Sequence, residues 1–190
     1  MKNSVPATAA IALSKFRLSE TSLIVTWMTE SAGLVRTTAR GALRPKSAFA
    51  GKIDLYHEAL ISFQLSARGD LHALREVELV HPFPAGSLPY AATLSAGYFT
   101  RWIELVTQPL EPAPALYSLL QRALHYLREG KLKSNGVTHF EGELARLLGI
   151  ADPRQAANHL NALTHYAGRK PAGREALLRQ IEDLPARPTE

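Results

Sequence analysis

At 190 residues, 46% of them hydrophobic, the chain can bury one sizeable core or two small ones, which argues against disorder over most of its length. A formal net charge of +5 and an isoelectric point near 9.6 suit nucleic acid or an anionic membrane surface without selecting between them. The absence of cysteine excludes disulfides, thiolate zinc sites and a cysteine nucleophile, and is compatible with a reducing compartment.

Met1 to Ala12 carries one lysine and a run of small residues, too short an apolar stretch for a signal peptide. No window approaches the ~18 consecutive apolar residues of a membrane span. The expectation is a soluble, cytoplasmic protein that does not engage a membrane.

The first half reads as strands. An ill-defined strand covers Ala9 to Phe16, a second lies in the apolar run of Ser19 to Glu30, and a third covers Leu34 to Arg40. From Leu55 to Leu65 the apolar Ala59, Ile61 and Phe63 alternate with Glu58, Ser62 and Gln64, the period of a half-buried strand. Arg68-Gly69-Asp70 supplies a turn, and Leu71 to Val80 returns antiparallel with Glu76 and Glu78 on one face and Val77 and Leu79 on the other. Ser47 to Lys52 leaves room for about one helical turn after the third strand. Five short strands with a small helical piece there give the order of an oligonucleotide-binding (OB) barrel, although strand count alone also admits another small barrel or a sandwich.

His81-Pro82-Phe83-Pro84 ends the strand pattern, because proline withholds a backbone donor and restricts the residue before it. The predicted domains are therefore 1–81, a barrel, and 82–190, a helical bundle. Leu94, Tyr98, Phe99, Trp102, Ile103 and Val106 recur at helical steps, and Leu116, Leu119, Leu120, Leu124 and Leu127 form a second stripe ending at Gly130. Thr138-His139-Phe140-Glu141 fits a capping box opening a helix to Leu148, and Asp152-Pro153 a cap and first-turn proline for a helix toward His165. A last amphipathic run covers Glu175 to Leu184.

On the third strand Arg36 and Arg40 share a face with Leu34 and Thr38, and Arg44 and Lys46 carry the charge into the next turn. Arginine forks grip phosphate oxygens in pairs and lysine adds a mobile point charge, so this ridge can track a nucleic-acid backbone. Lys15, Arg17, Lys52, Arg68 and Arg75 widen it. The same residues also suit a solvated edge that keeps strands from associating. Of the aromatic residues Phe16, Trp27, Phe49, Tyr56 and Phe63, the patterns put Trp27 and Phe63 in the core and leave Phe49 and Tyr56 as candidate stacking platforms. In the helical half, Tyr117, Leu120, Arg122, Arg128 and Lys131 combine apolar surface with charge, a composition suited to an acidic, hydrophobic peptide end; as leucine-stripe residues, some equally fit a core.

No catalytic constellation emerges. His159 and His165 are six apart and do not share a helix face, the other histidines are scattered, and Glu141 and Glu143 point to different faces. There is no phosphate-binding glycine loop, no GxSxG and no HExxH. No cofactor or metal is expected.

Ser19-Glu20-Thr21-Ser22-Leu23-Ile24-Val25-Thr26, with Thr29-Glu30, Gly33-Leu34, Ala39-Arg40-Gly41 and Arg44-Pro45-Lys46-Ser47, resembles the RecO family of bacterial recombination mediators. Weaker echoes run through Leu71 to Leu79, Tyr98 to Leu105, Leu116 to Leu120 and Phe140 to Gly149. The resemblance implies an OB barrel followed by a helical domain, and a non-enzymatic role in binding single- and double-stranded DNA, promoting annealing, and working with RecR and single-strand DNA-binding protein so that recombinase can load. It implies DNA contact by Arg36, Arg40, Arg44 and Lys46, and a role for Arg122 and Arg128 toward the binding protein's acidic C-terminal tail. Two departures stand out: the cysteine zinc motif of many relatives is missing, and the sequence after Gly149-Ile150 is short for the family, which weakens the expectation of RecR binding. The competing reading is a protein-interaction adaptor whose barrel binds a repair partner but little DNA; an unrecognised hydrolase ranks third.

Overall fold

A computed structural model describes residues 4–130, 132–151 and 158–184. The first five elements are strands: β1 (Ser4–Arg17), β2 (Leu23–Thr29), β3 (Gly33–Ala39), β4 (Glu58–Gln64) and β5 (Leu71–His81). They close into a barrel in the order β1-β2-β3-β5-β4. β1 makes closure possible by serving two neighbours. Its first part pairs with β4 from Ser4 to Ile11 and its second with β2 from Ala10 to Arg17, with register shifts at Val5/Thr8 and Ala12/Ser14. Such irregularities bend a strand and raise its twist, as a small barrel demands. Among the five strands, the parallel pairing is that of β3 with β5, which joins Arg36–Thr38 to Leu71–Ala73. This is the five-stranded OB arrangement.

The barrel core is Ala10, Ala12, Val25, Trp27, Val35, Ala39, Ala59, Ile61, Phe63, Leu74 and Val77. Its one indole is satisfied internally, Trp27 Nε1 donating to Thr37 Oγ1 at 2.9 Å. The expected inward phase of Ala59, Ile61 and Phe63 holds. Glu58 keeps the opposite phase, paired with Ile11 rather than facing the core with Ala59, yet it is buried there, and Gln121 Nε2 donates to it at 3.2 Å. The ill-defined first strand is in fact the longest, at 14 residues. No helix follows β3. Residues 40–52 instead form successive tight turns, with amide bonds from Ala42, Arg44, Ser47, Ala50 and Lys52 each reaching back three residues.

Among the described residues five helices follow: α1 (Tyr90–Val106), α2 (Pro114–Arg128), α3 (Ser134–Leu147), α4 (His159–Ala167) and α5 (Arg174–Glu182). The chain forms two compact units, residues up to Phe83 with Ile103–Gln121, and Pro84–Trp102 with the residues from Arg122 onward. Within the first unit the α1–α2 connection is fastened to the β2–β3 turn: Leu34 donates to Gln108 O and Leu110 to Leu34 O, at 3.4 and 3.0 Å. Gly33 permits this approach. Its φ is +60°, and a Cβ there would lie 2.0 Å from the Glu111 carbonyl oxygen.

The capping box is overturned. α3 starts at Ser134, and Thr138 lies inside it with its hydroxyl donating to Asn135 O. Glu141 serves a different purpose. It is buried, accepts Tyr98 Oη–H at 2.6 Å, and takes both Nε and Nη2 of Arg174 at 2.6 and 2.8 Å. This triad ties α1, α3 and α5 together within the second unit. The cap expected at Asp152-Pro153 lies outside the described residues.

Candidate nucleic-acid interface

Strand register arranges the outer surface of β1, β2 and β3 in rows. Phe16 pairs with Ile24 and Ile24 with Thr38; Ser14 pairs with Thr26 and Thr26 with Arg36. Residues directly opposite in a sheet share a face, about 5 Å apart, and successive rows follow at two residues, about 7 Å. Arg36 therefore stands one row along and two strands across from Phe16, with β2 between them, and Arg40 continues the line of Leu34, Arg36 and Thr38 just past the end of β3.

The segment after β3 is held against the β1–β2 turn. Leu43 donates to Thr21 O at 2.9 Å, Gly41 donates to Ser22 Oγ at 3.2 Å, and the turn itself closes through Leu18 N–H to Ser22 O at 2.9 Å. These bonds present Arg40, Arg44 and Lys46 from a fixed backbone. The Arg44 stem folds over Gly41, whose positive φ starts the turn.

The expected cations fall into two groups. Arg40, Arg44, Lys46 and Lys52 form no ion pair among the described residues, the first three exposed and Lys52 half-buried. Arg36 Nη1 is held by Asp70 Oδ2 at 2.6 Å and Lys15 Nζ by Asp54 Oδ1 at 2.7 Å, while Arg17 donates to the carbonyls of Ser19 and Glu20 at 3.2 Å. The Arg36 hydrogen bond keeps the Asp70 carboxyl below the usual carboxylate range. At Asp54 burial works the other way, but the Lys15 and Leu55 hydrogen bonds outweigh it and the carboxyl again lies low. Both acids are thus anions across the neutral range, and both pairs are exposed enough to exchange partners.

Arg75 does not extend this ridge, because it bonds Gln64 on the β4–β5 side. That side carries the opposite sign: Glu78 opposes Leu60, and Glu76 opposes Ser62 and accepts its hydroxyl at 3.1 Å.

Both expected stacking platforms are withdrawn. Tyr56 is buried with its ring 5.2 Å edge-on to Phe83, and Phe49 packs against the barrel core. Of the five aromatic residues named in the barrel half, Phe16 is the exposed one, at 62%, accompanied by Leu18 at 49% and Leu43 at 45%. The signal was Lys15-Phe16-Arg17, an aromatic residue between two cations at a strand end.

Of the expected peptide site, Tyr117 and Leu120 are buried and offer no surface. Burial, then Glu58 and Glu30, push the Tyr117 hydroxyl up to about 12. Arg122 is exposed, Arg128 half-buried, and Lys131 lies outside the described residues. Among the described residues no three His, Asp or Glu side chains gather as metal ligands, and no helix is long and apolar enough to cross a membrane.

The family model described as "Recombination protein O N terminal" matches residues 1–83, and "Recombination protein O C terminal" matches 89–152. Over 173 residues the chain is 33% identical to the DNA repair protein RecO of Salinibacter ruber, covering 88% of this chain and 64% of that one. It is 32% identical over 123 residues to the protein of that name in Cutibacterium acnes, covering 64% and 49%, and 30% identical over 140 residues to that of Geobacter sulfurreducens, covering 74% and 57%. The chain thus spans about half to just under two thirds of the length of these curated relatives.

Proposed function

This chain belongs to the RecO family of recombination proteins, and on that premise we propose that it is a DNA-binding mediator of recombinational repair acting in the cytoplasm. The observation that supports this most is the β3–β4 segment, where Arg40, Arg44 and Lys46 stand without acid partners among the described residues, on a backbone tied to the β1–β2 turn. Fixed cations on one barrel face neutralise phosphates of single strands and duplexes alike, and so lower the repulsion between two strands that must anneal. Lys52, Arg36, Lys15 and Arg17 enlarge the field, the paired ones by exchanging an exposed carboxylate for a phosphate. The acidic β4–β5 side repels the same polyanion and so confines it to one face.

The protein works by binding, not turnover. It assists recombinase loading through contacts with DNA, RecR and the acidic tail of single-strand DNA-binding protein. Arg122 on α2 is the exposed cation that suits that tail, with Arg128 six residues further along the same helix. With Tyr117 and Leu120 buried, the apolar part of that contact must come from other residues. The barrel of residues 1–81 holds DNA and the helices of 82–190 recruit partners.

The test is anisotropy of a labelled single-stranded oligonucleotide against salt, for the natural protein and an Arg40→Ala/Arg44→Ala/Lys46→Ala variant. Losing about three phosphate contacts flattens the log-log salt slope by about 2. Equal, weak binding with equal slopes would overturn the DNA reading in favour of a partner adaptor.

A further inference from the structure

We propose that Phe16 is a stacking platform for an unpaired base, so that the barrel reads single strands through a ring as well as through charge. The inference rests on the DNA-binding reading above and deepens it. Phe16 lies on the outer surface of the closed barrel, in one row with Ile24 and Thr38. Single exposed apolar residues are ordinary, but here Phe16, Leu18 and Leu43 gather at the same end of the barrel. Leu18 follows directly on β1, and the Leu43 amide is bonded to the turn that Leu18 helps close.

Charge selects the occupant. Arg36 stands two strands across and one row along, and Arg40 just past the end of β3; Arg17, next to Phe16 in the chain, is pinned to the turn by its bonds to Ser19 and Glu20 carbonyls. The neighbouring acid is Glu20, exposed on the turn itself. A ring bordered by phosphate-binding groups suits a flexible strand whose bases are splayed out, since every base offers a π-face. Bases in a duplex are already stacked on each other and cannot reach it. Charge therefore holds both forms of DNA, and Phe16 adds affinity for the single strand only.

The experiment uses the full chain with Phe16→Ala and Phe16→Tyr. Three labelled probes are titrated: an oligothymidylate, an abasic oligonucleotide of equal length and a duplex of the same number of phosphates per strand. Phe16→Ala should bind the oligothymidylate at least about fivefold more weakly. Its salt slope and its affinity for the abasic strand and the duplex should match the natural protein, and Phe16→Tyr should restore the loss. An unchanged oligothymidylate affinity overturns the inference. So does an equal loss on all three probes, which would make Phe16 a structural residue. If Phe16→Ala is silent while the Arg40/Arg44/Lys46 variant loses affinity and slope, stacking fails and DNA binding stands; if both are silent, the DNA reading itself falls.

Discussion

Two arginine–carboxylate pairs close at the same distance, 2.6 Å, in the two units of the molecule, and do opposite things. In the barrel unit, Arg36 and Asp70 keep about half or more of each side chain in water, at 49% and 66%. In the helical unit, Arg174 covers Glu141, whose side chain is 2% exposed and also takes the Tyr98 hydroxyl. Contact length therefore says nothing about consequence; surroundings decide it. An exposed pair gives up little when it opens, since water and salt already compete for both ions, and so it can trade an acid for a phosphate. A buried carboxylate has no such alternative, and losing its partner leaves a charge stranded in the core.

The comparison breaks most directly at Arg174. Arg174→Ala should cost about 3–5 kcal/mol, read by urea unfolding of the helical signal, because Glu141 keeps only the Tyr98 hydroxyl. Burial, reinforced by Glu141, pushes the Tyr98 phenol above its ordinary range, so it remains a donor and cannot neutralise the carboxylate. A double change of Glu141→Leu with Arg174→Met should recover most of the loss, since an apolar pair of similar volume needs no counter-ion. If Arg174→Ala costs no more than Arg36→Ala, the distinction between the pairs collapses.

His72 gives an intermediate effect inside the barrel unit. Its ring is buried, stacked 6.0 Å from Phe63, and its Nδ1 accepts the Ser66 amide at 3.1 Å. Burial pulls its pKa below the usual value, and the nearby Asp70 charge opposes this without prevailing. The folded state thus holds the proton less tightly than the unfolded chain. Stability from the neutral ring is complete above about pH 6.5 and is lost as pH falls from there through the folded pKa, no faster than the one-proton limit of about 1.4 kcal/mol per pH unit. Urea midpoints at pH 8, 6.5 and 5.5 should show the decline. His72→Gln should flatten it; an unchanged decline would assign the titration elsewhere.

The outward phase of Arg36 and Arg40 and the inward phase of Ile61 and Phe63 were legible because a strand alternates strictly and the barrel keeps one face dry. The leucine stripes marked α1 and α2 for the analogous reason. What could not be read depends on irregularity or on distance in sequence. Glu58 keeps the polar phase of its strand, but no pattern announces that it is buried there and accepts from Gln121, 63 positions away. Glu141 looks like a capping residue until Arg174, 33 positions away, is seen against it. Tyr56 takes a φ of +65° in the approach to β4, which sends a candidate platform into the core. Phe16 stood among the available rings but was not singled out, because the small residues before it gave β1 no clear phase.

The gentlest change sharpens the comparison from its exposed side. Asp70 sits in the β4–β5 turn, and the hydrogen bond from Arg36 holds its carboxyl below the usual carboxylate range, so it is an anion near neutral pH. It therefore competes with phosphate for the same guanidinium. Asp70→Asn retains a residue that turns accept and removes the competing charge. If a strand crosses the Ser14–Thr26–Arg36 row, the freed arginine adds one contact. The salt slope of oligonucleotide binding then steepens by about 0.7, with a gain of a few-fold at low salt. Thermal stability should hardly move, because exposed pairs contribute little. An unchanged slope would mean that the strand runs over Arg40, Arg44 and Lys46 without reaching Arg36, shifting its path toward the β1–β2 turn. A loss of stability approaching that of Arg174→Ala would mean that the two pairs are of one kind, and that exposure does not separate a binding charge from a structural one in this protein.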